Sequence, residues 1–404
     1  MGGGMARRHV ELCRRLAPND VTVSTVAPDP GEEGAAAAFD ASERYEIVRQ
    51  PFPFRGAKTV FNQARWARWL VPRCTDRVPS LGSGIPTEAV DIVHCGNIRP
   101  AGYPTWWAHH VTGVPYLVYV YGGDLLREQR KLRASALKRW TARRIFEDSA
   151  GVVAISEWSA ALAGDVMRAA GIRRPPRILI NPLGTDPKFF QPSRDTGALR
   201  SRLGLGDAPL LLTVSRLVPH KGIDVALRAM AALGPEWSGV RYLVVGRGED
   251  GPRLGALATA LGIADRVIFA GALTDAEIAE AYATATIYVG LSRVDADINA
   301  EGFGIAFIEA AASGIPSVAG DSGGVRSAVR DGRTGLVVAP NDVAAAAAAI
   351  RAFLADPSRR RAMGLAGRQD VLTHFNWNRV AVEVCAFAAA AVEARRCGTK
   401  PVTV

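Results

Sequence analysis

Two glutamates lie eight residues apart around a glycine turn in the stretch EGFGIAFIEAAASG, residues 301–314. Glu301 precedes the turn, and Glu309 lies in the helix that the following apolar residues predict, away from its apolar face. Gly302 and Gly304 allow a close backbone approach to a ligand, and the first N–H groups of such a helix have no partner within it. Glu309 can accept two hydroxyl hydrogen bonds from a ribose, and Glu301 can hold sugar hydroxyls. The alternative is that one glutamate stabilises the helix N-terminus and the other is solvated.

Two cations follow a predicted strand in the stretch TVSRLVPHKGID. The strand, 210–214, ends at Ser215; Arg216 follows at once, and Lys221 comes five residues later, just before a glycine and a helix. Cations at the carboxyl end of a strand and beside a helix N-terminus suit a phosphate or a diphosphate. The alternative is a pair of surface cations on a loop.

Two further features bear on anions and metals. A glycine loop at 320–324 has room for a phosphate, although a glycine loop alone is weak evidence. Asp295 and Asp297 form a D-x-D pair, which can hold a divalent ion against a diphosphate. Because Arg216 and Lys221 already neutralise such a diphosphate, we expect that no metal and no other cofactor is required.

The elements that carry these side chains predict an α/β fold. Short β-branched runs alternate with helical stretches rich in alanine and arginine, and several runs are continuously hydrophobic, as in strands that are buried on both faces. The predicted strands are 21–25, 91–94, 116–121, 151–155, 177–180, 210–214, 242–245, 267–270, 287–289, 317–319 and 335–338. Helices such as 224–233 and 276–284 supply the crossovers. This alternation indicates doubly wound parallel sheets, in which ligands bind at the carboxyl ends of the strands.

The strand–helix series runs twice, which predicts two Rossmann-like domains facing each other across a cleft. Prolines in NPLGTDPKFFQPSRDTGALRSRLG place the linker within 188–208. The first domain would span 1–190 and the second 195–374. An alanine-rich terminal helix is expected to cross back, so that 375–404 packs on the first domain.

The N-terminus opens on the glycine loop Gly2–Gly4 and continues as a predicted helix, 5–16. In a doubly wound domain a strand should precede such a loop and helix. Here only Met1 does. Either the true start lies upstream, or the first sheet lacks a strand.

The composition is that of a globular protein, with 404 residues, 48% hydrophobic and 22% charged. The five cysteines show no C-x-x-C spacing, which indicates reduced thiols and not disulfides or a zinc site. No apolar run approaches the roughly 18 residues that span a bilayer, and the N-terminus is basic, without a signal peptide. We expect a cytoplasmic protein, either free or peripheral at the inner membrane face.

The net charge of +10 reflects either a solvated, arginine-rich surface or a positive field for an anionic ligand or membrane. No recognition motif points to nucleic acid, so none is expected as a partner. The basic and aromatic stretch 54–73 either lies on an anionic membrane or packs its aromatic rings inward. The basic stretch 127–144 is expected to be a solvated helix that buries Leu132, Ala136 and Trp140.

Together these motifs resemble the retaining glycosyltransferases of the GT-B fold, family four. The specific part of the resemblance is Arg216 with Lys221, Glu301 and Glu309 at their spacing, and SGIPSVAG, 313–320. Weaker stretches extend the resemblance over nearly all of the chain, in the family's order: GGG, HVELCRRLAPNDVTVST, YGGDLL, AISEW, NPLGTDPKFF, VGRGED, RVIFAGAL and LAGRQDV. The resemblance implies a nucleotide-sugar donor as substrate.

The resemblance also implies which residues surround the donor. Arg216 and Lys221 would bind its diphosphate, and Glu301 would act with them in catalysis. Backbone groups near the donor sugar would come from Gly302, Phe303, Gly304 and Ile305. Glu309 would bind the ribose. The residues beside the base would be Ala272 and Leu273.

The acceptor side would be lined by residues of the first domain: Gly3, Gly4, Tyr121, Gly122 and Asp124. The family usually carries a histidine where Tyr121 stands in YGGD. This departure leaves open which group acts as acid or base on the acceptor side. His94 and His109 are candidates for that role, and the alternative is that both are structural.

The reaction that the resemblance implies is hexose transfer with retention. Arg216 and Lys221 would stabilise charge on the leaving nucleoside diphosphate. In the absence of an obvious nucleophile, a hydroxyl acceptor would attack from the same face and a donor phosphate oxygen would take its proton. The stretch 290–324 is most similar to phosphatidylinositol mannosyltransferases and other users of GDP-mannose, with a lipid, glycan or natural product as acceptor. The alternatives are a nucleotide-sugar epimerase or phosphorylase of the same fold, and a non-catalytic partner subunit.

Overall fold

The chain folds into two compact units. One unit consists of Met1–Asn181 with Val380–Val404, and the other is Pro182–Arg379. The computed structural model describes residues 4–75, 90–295 and 299–397. Each unit has its own parallel sheets and its own buried core.

The first unit contains six strands: β1 (Thr22–Ala27), β2 (Glu46–Pro53), β3 (Val93–Cys95), β4 (Tyr116–Val120), β5 (Gly151–Ala154) and β6 (Ile178–Ile180). They form a four-stranded parallel sheet of order β3-β4-β5-β6 and a two-stranded parallel sheet, β1-β2. Strand β4 reads YLVYV and every residue of it is buried. Continuous burial of this kind is typical of a parallel strand that is covered on both faces.

The second unit also contains six strands: β7 (Leu210–Val214), β8 (Arg241–Val245), β9 (Val267–Gly271), β10 (Ile287–Gly290), β11 (Ser317–Gly320) and β12 (Gly335–Val338). All are parallel, in the order β12-β11-β10-β7-β8-β9. The chain moves from β7 to one side through β8 and β9, and then returns to β7 on the other side with β10. The gap between the carboxyl ends of β7 and β10 is therefore a topological switch point, where doubly wound sheets bind ligands.

Helices connect these strands: α1 (Gly4–Cys13), α2 (Glu33–Ser42), α3 (Val60–Thr75), α4 (Gly102–Thr112), α5 (Gly123–Ala134), α6 (Ala136–Glu147), α7 (Glu157–Ala169), α8 (Ala198–Arg202), α9 (Ile223–Ala231), α10 (Gly251–Ala260), α11 (Asp275–Thr284), α12 (Ile305–Ala312), α13 (Val343–Ala355), α14 (Pro357–Thr373) and α15 (Trp377–Arg396). Helix α11 starts at a capping box, in which Thr274 and Glu277 each bond the other's backbone N–H. Helix α15 belongs to the first unit from Val380 onward. In the part of the chain that is described, no helix is both long and apolar enough to cross a membrane.

The predicted α/β class with doubly wound parallel sheets is confirmed. Each of the predicted strands is present with shifts of a few residues at its ends. Strand β2 was not predicted, because its sequence EIVRQPFP contains two prolines, which are depleted in strands, and the charged residues Glu46 and Arg49. Among the described strands it pairs with β1 alone, so its other edge is free and proline is tolerated there.

The expectation of a single helix over 127–144 was wrong. The chain breaks at Ser135, which ends α5 and caps α6 by accepting a hydrogen bond from the Lys138 N–H at 3.3 Å. The break changes the direction of the side chains that follow it. Leu132 is buried as expected, whereas Ala136 is exposed and Trp140 is 45% exposed.

Candidate active site

The predicted donor-side residues lie where the strands on either side of the switch point end. Arg216 and Lys221 follow β7, and Glu301 follows β10, which is hydrogen-bonded to β7 in the sheet. A short 3₁₀ turn, Pro219–Lys221, carries the lysine to the start of α9. The sheet order therefore brings together residues that are eighty positions apart in sequence.

Lys221 and Glu301 form an ion pair, with Nζ and Oε2 separated by 2.6 Å. Their side chains are 19% and 17% exposed, so the pair is partly accessible. Arg216 is exposed and makes no ion pair with any residue in the described part of the chain. His220 directly precedes Lys221 in the sequence. Its pKa is lowered first by burial and then by the charges of Lys221 and Arg216. This shift favours the neutral imidazole, so the positive charge beside Glu301 comes from Lys221 and Arg216.

Glycines fix the backbone around this pair. Gly222, with φ +67°, ends the lysine's turn, and a Cβ there would lie 1.8 Å from the carbonyl oxygen of Leu291. On the other side, the Gly324 N–H donates to the Glu301 carbonyl at 2.7 Å. A Cβ on Gly323 would lie 2.2 Å from that same carbonyl. Side chains at Gly222 and Gly323 would push Lys221 and Glu301 out of place.

The helix after Glu301 begins where the sequence predicted. Gly304, with φ +96°, is the N-cap of α12, and Ile305 is its first residue. The first N–H groups of a helix lack partners within it, and they attract anions and polar ligands. Phe303 is buried at 1% exposure, so it contributes packing and backbone, whereas Gly302 and Ile305 are partly exposed.

Glu309 is buried at 6% exposure, so the alternative of a solvated glutamate is wrong. Its Oε2 accepts a hydrogen bond from the hydroxyl of Tyr282 at 3.0 Å. The pKa of the neighbouring Tyr288 is raised well above its usual value, first by burial and then by the charges of Glu301 and Glu309. Both carboxylates therefore affect the same buried tyrosine.

The residues predicted beside the nucleotide base lie on the same edge, two strands away from β7. Ala272 and Leu273 follow β9, directly before the α11 cap; Ala272 is exposed and Leu273 is partly buried. Among the described residues, no three of His, Cys, Asp and Glu are close enough to hold a metal ion. Asp297 of the D-x-D pair lies outside the described residues. The expectation that no metal is required stays a prediction.

On the acceptor side, Tyr121, Gly122 and Asp124 lie where β4 ends in the first unit. The Tyr121 N–H donates to Asp124 Oδ1 at 3.0 Å. Gly122 has φ +101°, and a Cβ there would lie 2.3 Å from the ring of Trp158. Burial raises the pKa of Asp124, and its Oδ2 is buried without a hydrogen bond to any described residue. Gly4 is the first residue of α1, and Gly3 lies outside the described residues.

The residue that the sequence did not single out is His9, on α1. Its Nε2 lies 2.7 Å from the Tyr121 hydroxyl. Burial, followed by the charges of Arg8 and His94, lowers the pKa of His9 from 6.5 to about 3. The ring is neutral, and it shares a hydrogen bond with the Tyr121 hydroxyl. The only signal in the sequence was a histidine on the helix that follows the glycine loop.

The two histidines proposed from the sequence have other partners. His94 Nδ1 lies 2.8 Å from the Tyr119 hydroxyl, and burial lowers its pKa to about 4. His109 Nδ1 lies 2.8 Å from the Val114 carbonyl, to which it donates. Neither has a hydrogen bond to Tyr121 among the described residues, and His109 is structural.

Two family profiles match the chain. One, described as "Glycosyl transferases group 1", matches residues 195–370. The other, described as "Glycosyltransferase Family 4", matches residues 2–188. Between them they include every predicted site residue of both units.

Curated relatives extend this similarity. A GDP-mannose-dependent alpha-(1-6)-phosphatidylinositol monomannoside mannosyltransferase of Mycolicibacterium smegmatis is 38% identical over 217 residues, which is 53% of this chain and 57% of that protein. The match thus spans little more than half of that relative's length. A D-inositol 3-phosphate glycosyltransferase of Stackebrandtia nassauensis is 29% identical over 97% of this chain and 88% of its own.

Solved structures share the fold. HepE of Anabaena, in complex with UDP and glucose, superposes with a TM-score of 0.73 at 19% identity, over 96% of each chain. Sucrose-phosphate synthase of Thermosynechococcus elongatus superposes with a TM-score of 0.68 at 22% identity, over 92% of this chain and 99% of its own. At these identities the likeness establishes the fold alone.

Proposed function

Because the chain belongs to the GT-B glycosyltransferases of family four, we propose that it transfers a hexose from a nucleotide-diphosphate sugar to a hydroxyl acceptor. The observation that carries the proposal is the Lys221–Glu301 pair at 2.6 Å, beside the exposed Arg216, at the switch point of the second sheet. This edge offers two cations to a diphosphate and a carboxylate to a sugar, side by side.

Donor binding uses these charges in turn. A diphosphate that takes Lys221 competes with Glu301 for the ammonium group, and the released carboxylate can accept hydrogen bonds from sugar hydroxyls. Arg216 provides the second cation, and the N-terminal amides of α12 add their dipoles. Glu309 binds the ribose, and Ala272 and Leu273 flank the base.

The chemical step is cleavage of the bond between the sugar and the diphosphate. Negative charge grows on the leaving phosphate, and preorganised cations stabilise it more in the transition state than in the ground state. We propose transfer with retention, in which the acceptor hydroxyl attacks from the face that the phosphate leaves. A phosphate oxygen of the leaving group accepts the hydroxyl proton. No metal or other cofactor is required in this scheme, since Arg216 and Lys221 supply the positive charge.

GDP-mannose is the first donor to test, because the mannosyltransferase relative is named as dependent on it. The acceptor proposed first is an inositol-containing molecule, as the names of both relatives indicate. Tyr121, His9 and Asp124 suit such a polyol, because they offer hydrogen-bonding groups whose charged forms are disfavoured by burial. Lipid, glycan and natural-product acceptors are tested in the same transfer assay.

The test is a thermal-shift screen of GDP-, UDP-, ADP- and dTDP-sugars, followed by transfer assays with the donor that binds. A ligand at about 100 times its Kd stabilises the native state by about 2.7 kcal/mol. NMR of the product then gives the anomeric configuration. Inversion contradicts retention, and an altered sugar without any acceptor indicates an epimerase. Absence of both binding and transfer favours a non-catalytic partner subunit.

We also propose that the first unit contacts anionic membranes while the protein remains in the cytoplasm. In the stretch 54–73, Trp66 packs inward, with its Nε1–H donating to Ser24 Oγ at 3.0 Å. Val60 and Phe61, in contrast, are 82% and 75% exposed at the start of α3. Arginines and a lysine nearby would attract acidic lipids.

Co-sedimentation with phosphatidylglycerol vesicles tests this contact. We expect the wild type to pellet at low salt and V60D/F61D to stay in the supernatant. Phosphatidylcholine vesicles serve as the control. If the wild type and V60D/F61D pellet equally, the membrane contact is contradicted, whereas the proposed transfer activity is unaffected.

A further inference from the structure

Arg293 lies at the root of the loop that leads from β10 to Glu301. It follows Leu291 and Ser292, both 3% exposed, so its backbone starts from a rigid position. Its N–H donates to the carbonyl of His220 at 2.8 Å. His220 directly precedes Lys221. This one backbone bond thus joins the turn that carries the lysine to the loop that carries the glutamate.

The guanidinium of Arg293 makes two further connections. Its Nη1 donates to both carboxylate oxygens of Asp224, at 3.0 and 3.2 Å, in the first turn of α9. The same nitrogen donates to Oδ1 of Asn341 at 3.1 Å, in the loop between β12 and α13. Arg293 and Asp224 are 19% and 18% exposed, so solvent competes little with this pair.

Asn341 has φ +65°, and it is the only residue other than glycine with a positive φ in the described part of the chain. Left-handed backbone is strained for a residue other than glycine, although less so for asparagine. The strained position turns the asparagine amide toward Arg293. Arg293 therefore joins three segments, because its side chain contacts Asp224 of α9 and Asn341, while its backbone N–H contacts the Pro219–Lys221 turn.

Beyond Arg293 the loop closes on itself. The Asp295 N–H donates to the Asn299 carbonyl at 2.9 Å, and the Asn299 N–H donates back at 3.2 Å. Glu301 follows two residues later and is held from the other side by Gly324. Arg293 is thus the point at which the Glu301 segment is tied to the Lys221 turn.

We propose that Arg293 is a positioning residue for the transfer reaction, which sets the placement of Glu301 relative to Lys221 from outside the donor contacts. The inference rests on the proposed function. A displacement of about 1 Å in a positioned catalytic group can cost about 100-fold in rate. Fold stability depends much less on Arg293, because Asp224 lies in the first turn of α9, where the helix dipole favours a carboxylate.

The test compares R293Q with R293K, measuring GDP release from GDP-mannose and the Kd of GDP by calorimetry. For R293Q we expect kcat to fall about 30- to 100-fold, while the KM for GDP-mannose and the Kd of GDP stay within about threefold, because the diphosphate cations are unchanged. R293K keeps a cation near Asp224, so its kcat should be at least about tenfold higher than that of R293Q.

Arg168→Gln is the matched control. It removes an exposed guanidinium that pairs with Asp165 in the first unit, so kcat should stay within about threefold of wild type. A kcat for R293Q within about threefold of wild type would overturn the proposal, and so would a loss of GDP affinity that equals the loss of kcat. If R293Q fails to fold, D224N is measured with the same criteria. If the wild type does not use GDP-mannose, the donor found in the screen replaces it, and a wild type that binds none of the screened nucleotide sugars would refute the proposed function instead.

Discussion

The carboxyl edges of the two units both carry polar side chains, yet their charges differ. In the second unit, Lys221 and Glu301 form a partly exposed ion pair beside the exposed Arg216. In the first unit, the Tyr121 hydroxyl bonds a neutral His9, and burial raises the pKa of Asp124 toward the neutral form. Burial disfavours the charged form of each of these groups.

The difference indicates a division of labour. An edge with two accessible cations suits a diphosphate, which brings its own negative charge. An edge of buried, neutral donors and acceptors suits a hydroxyl compound, since neither partner has to give up a strongly hydrated charge. The proposed donor and acceptor therefore match the electrostatic character of the unit to which each is assigned.

The largest expected effect comes from removing the cation of the donor edge. Lys221→Ala should lower kcat by about 100- to 1,000-fold. In other enzymes, removal of one preorganised group that stabilises charge in the transition state has an effect of this size. Steady-state kinetics with the donor found in the screen measure it. Lys188→Ala, which removes an exposed lysine of the same unit, is the control. A full kcat with weakened acceptor binding would reverse the assignment of the two edges.

The two edges also use glycine differently. Gly222→Ala would place its Cβ 1.8 Å from a backbone oxygen, whereas Gly122→Ala would meet a tryptophan ring that can shift. We expect a cost of about 3 kcal/mol or more for Gly222→Ala and about 1–2 kcal/mol for Gly122→Ala, both of which include the positive φ.

Thermal midpoints of the two glycine variants measure this difference. Gly255→Ala is the matched control, because the residue lies inside α10 with open space around it. Alanine there should stabilise by about 0.5–1 kcal/mol. A lower midpoint for Gly122→Ala than for Gly222→Ala would show that the acceptor edge is the more rigid one.

The bond between His9 and Tyr121 should matter for the acceptor and not for the donor. His9→Ala and Tyr121→Phe should each raise the acceptor KM about tenfold, the worth of a hydrogen bond of about 1.4 kcal/mol. The double variant should lose little more than either single one, because both remove the same bond. His110→Ala, at an exposed position, controls for loss of an imidazole. A matching rise in the donor KM would contradict the division between the edges.

The smallest expected effect is a pH dependence of stability. The pKa of His9 falls from 6.5 in the unfolded chain to about 3 in the folded one, so the unfolded state binds more protons between these values. This contribution is present above pH 6.5 and is lost as the pH falls below it. Between pH 7.5 and 5.5 the loss should be about 1 kcal/mol.

His9→Gln should reduce that slope relative to wild type, as measured by thermal midpoints across this range. His94, whose pKa falls to about 4, should behave in the same way when replaced. An unchanged slope in both variants would mean that the histidines are not buried in the neutral form.

Much of the fold was predictable from the sequence. The predicted GT-B fold is confirmed by the similarity to solved structures, and the family by the matching profiles. Buried parallel strands read as short hydrophobic runs, and these runs are local. Strand β2 was missed because prolines and charged residues interrupt its hydrophobic run. The expected burial of Ala136 and Trp140 was wrong because the Ser135 cap interrupts the helix before them.

The site divides in the same way. Arg216, Lys221, Glu301 and Glu309 could be proposed from residue types and spacing, since each follows a predictable strand or lies in a predictable helix. His9 could not, because its contact with Tyr121 spans 112 positions and depends on how α1 packs on the first sheet. Arg293 was missed for a similar reason, because its partners Asp224 and Asn341 lie 69 and 48 positions away in the sequence.

By itself, the sequence determined the strands, the helix starts and the chemical types at the edges of the sheets, because periodicity and capping act over a few residues. Only the tertiary structure decided which of these groups meet. The strand order places β10 beside β7, and this alone brings Glu301 to Lys221. Burial then decided which side chains remain charged, because desolvation depends on the neighbours that packing supplies.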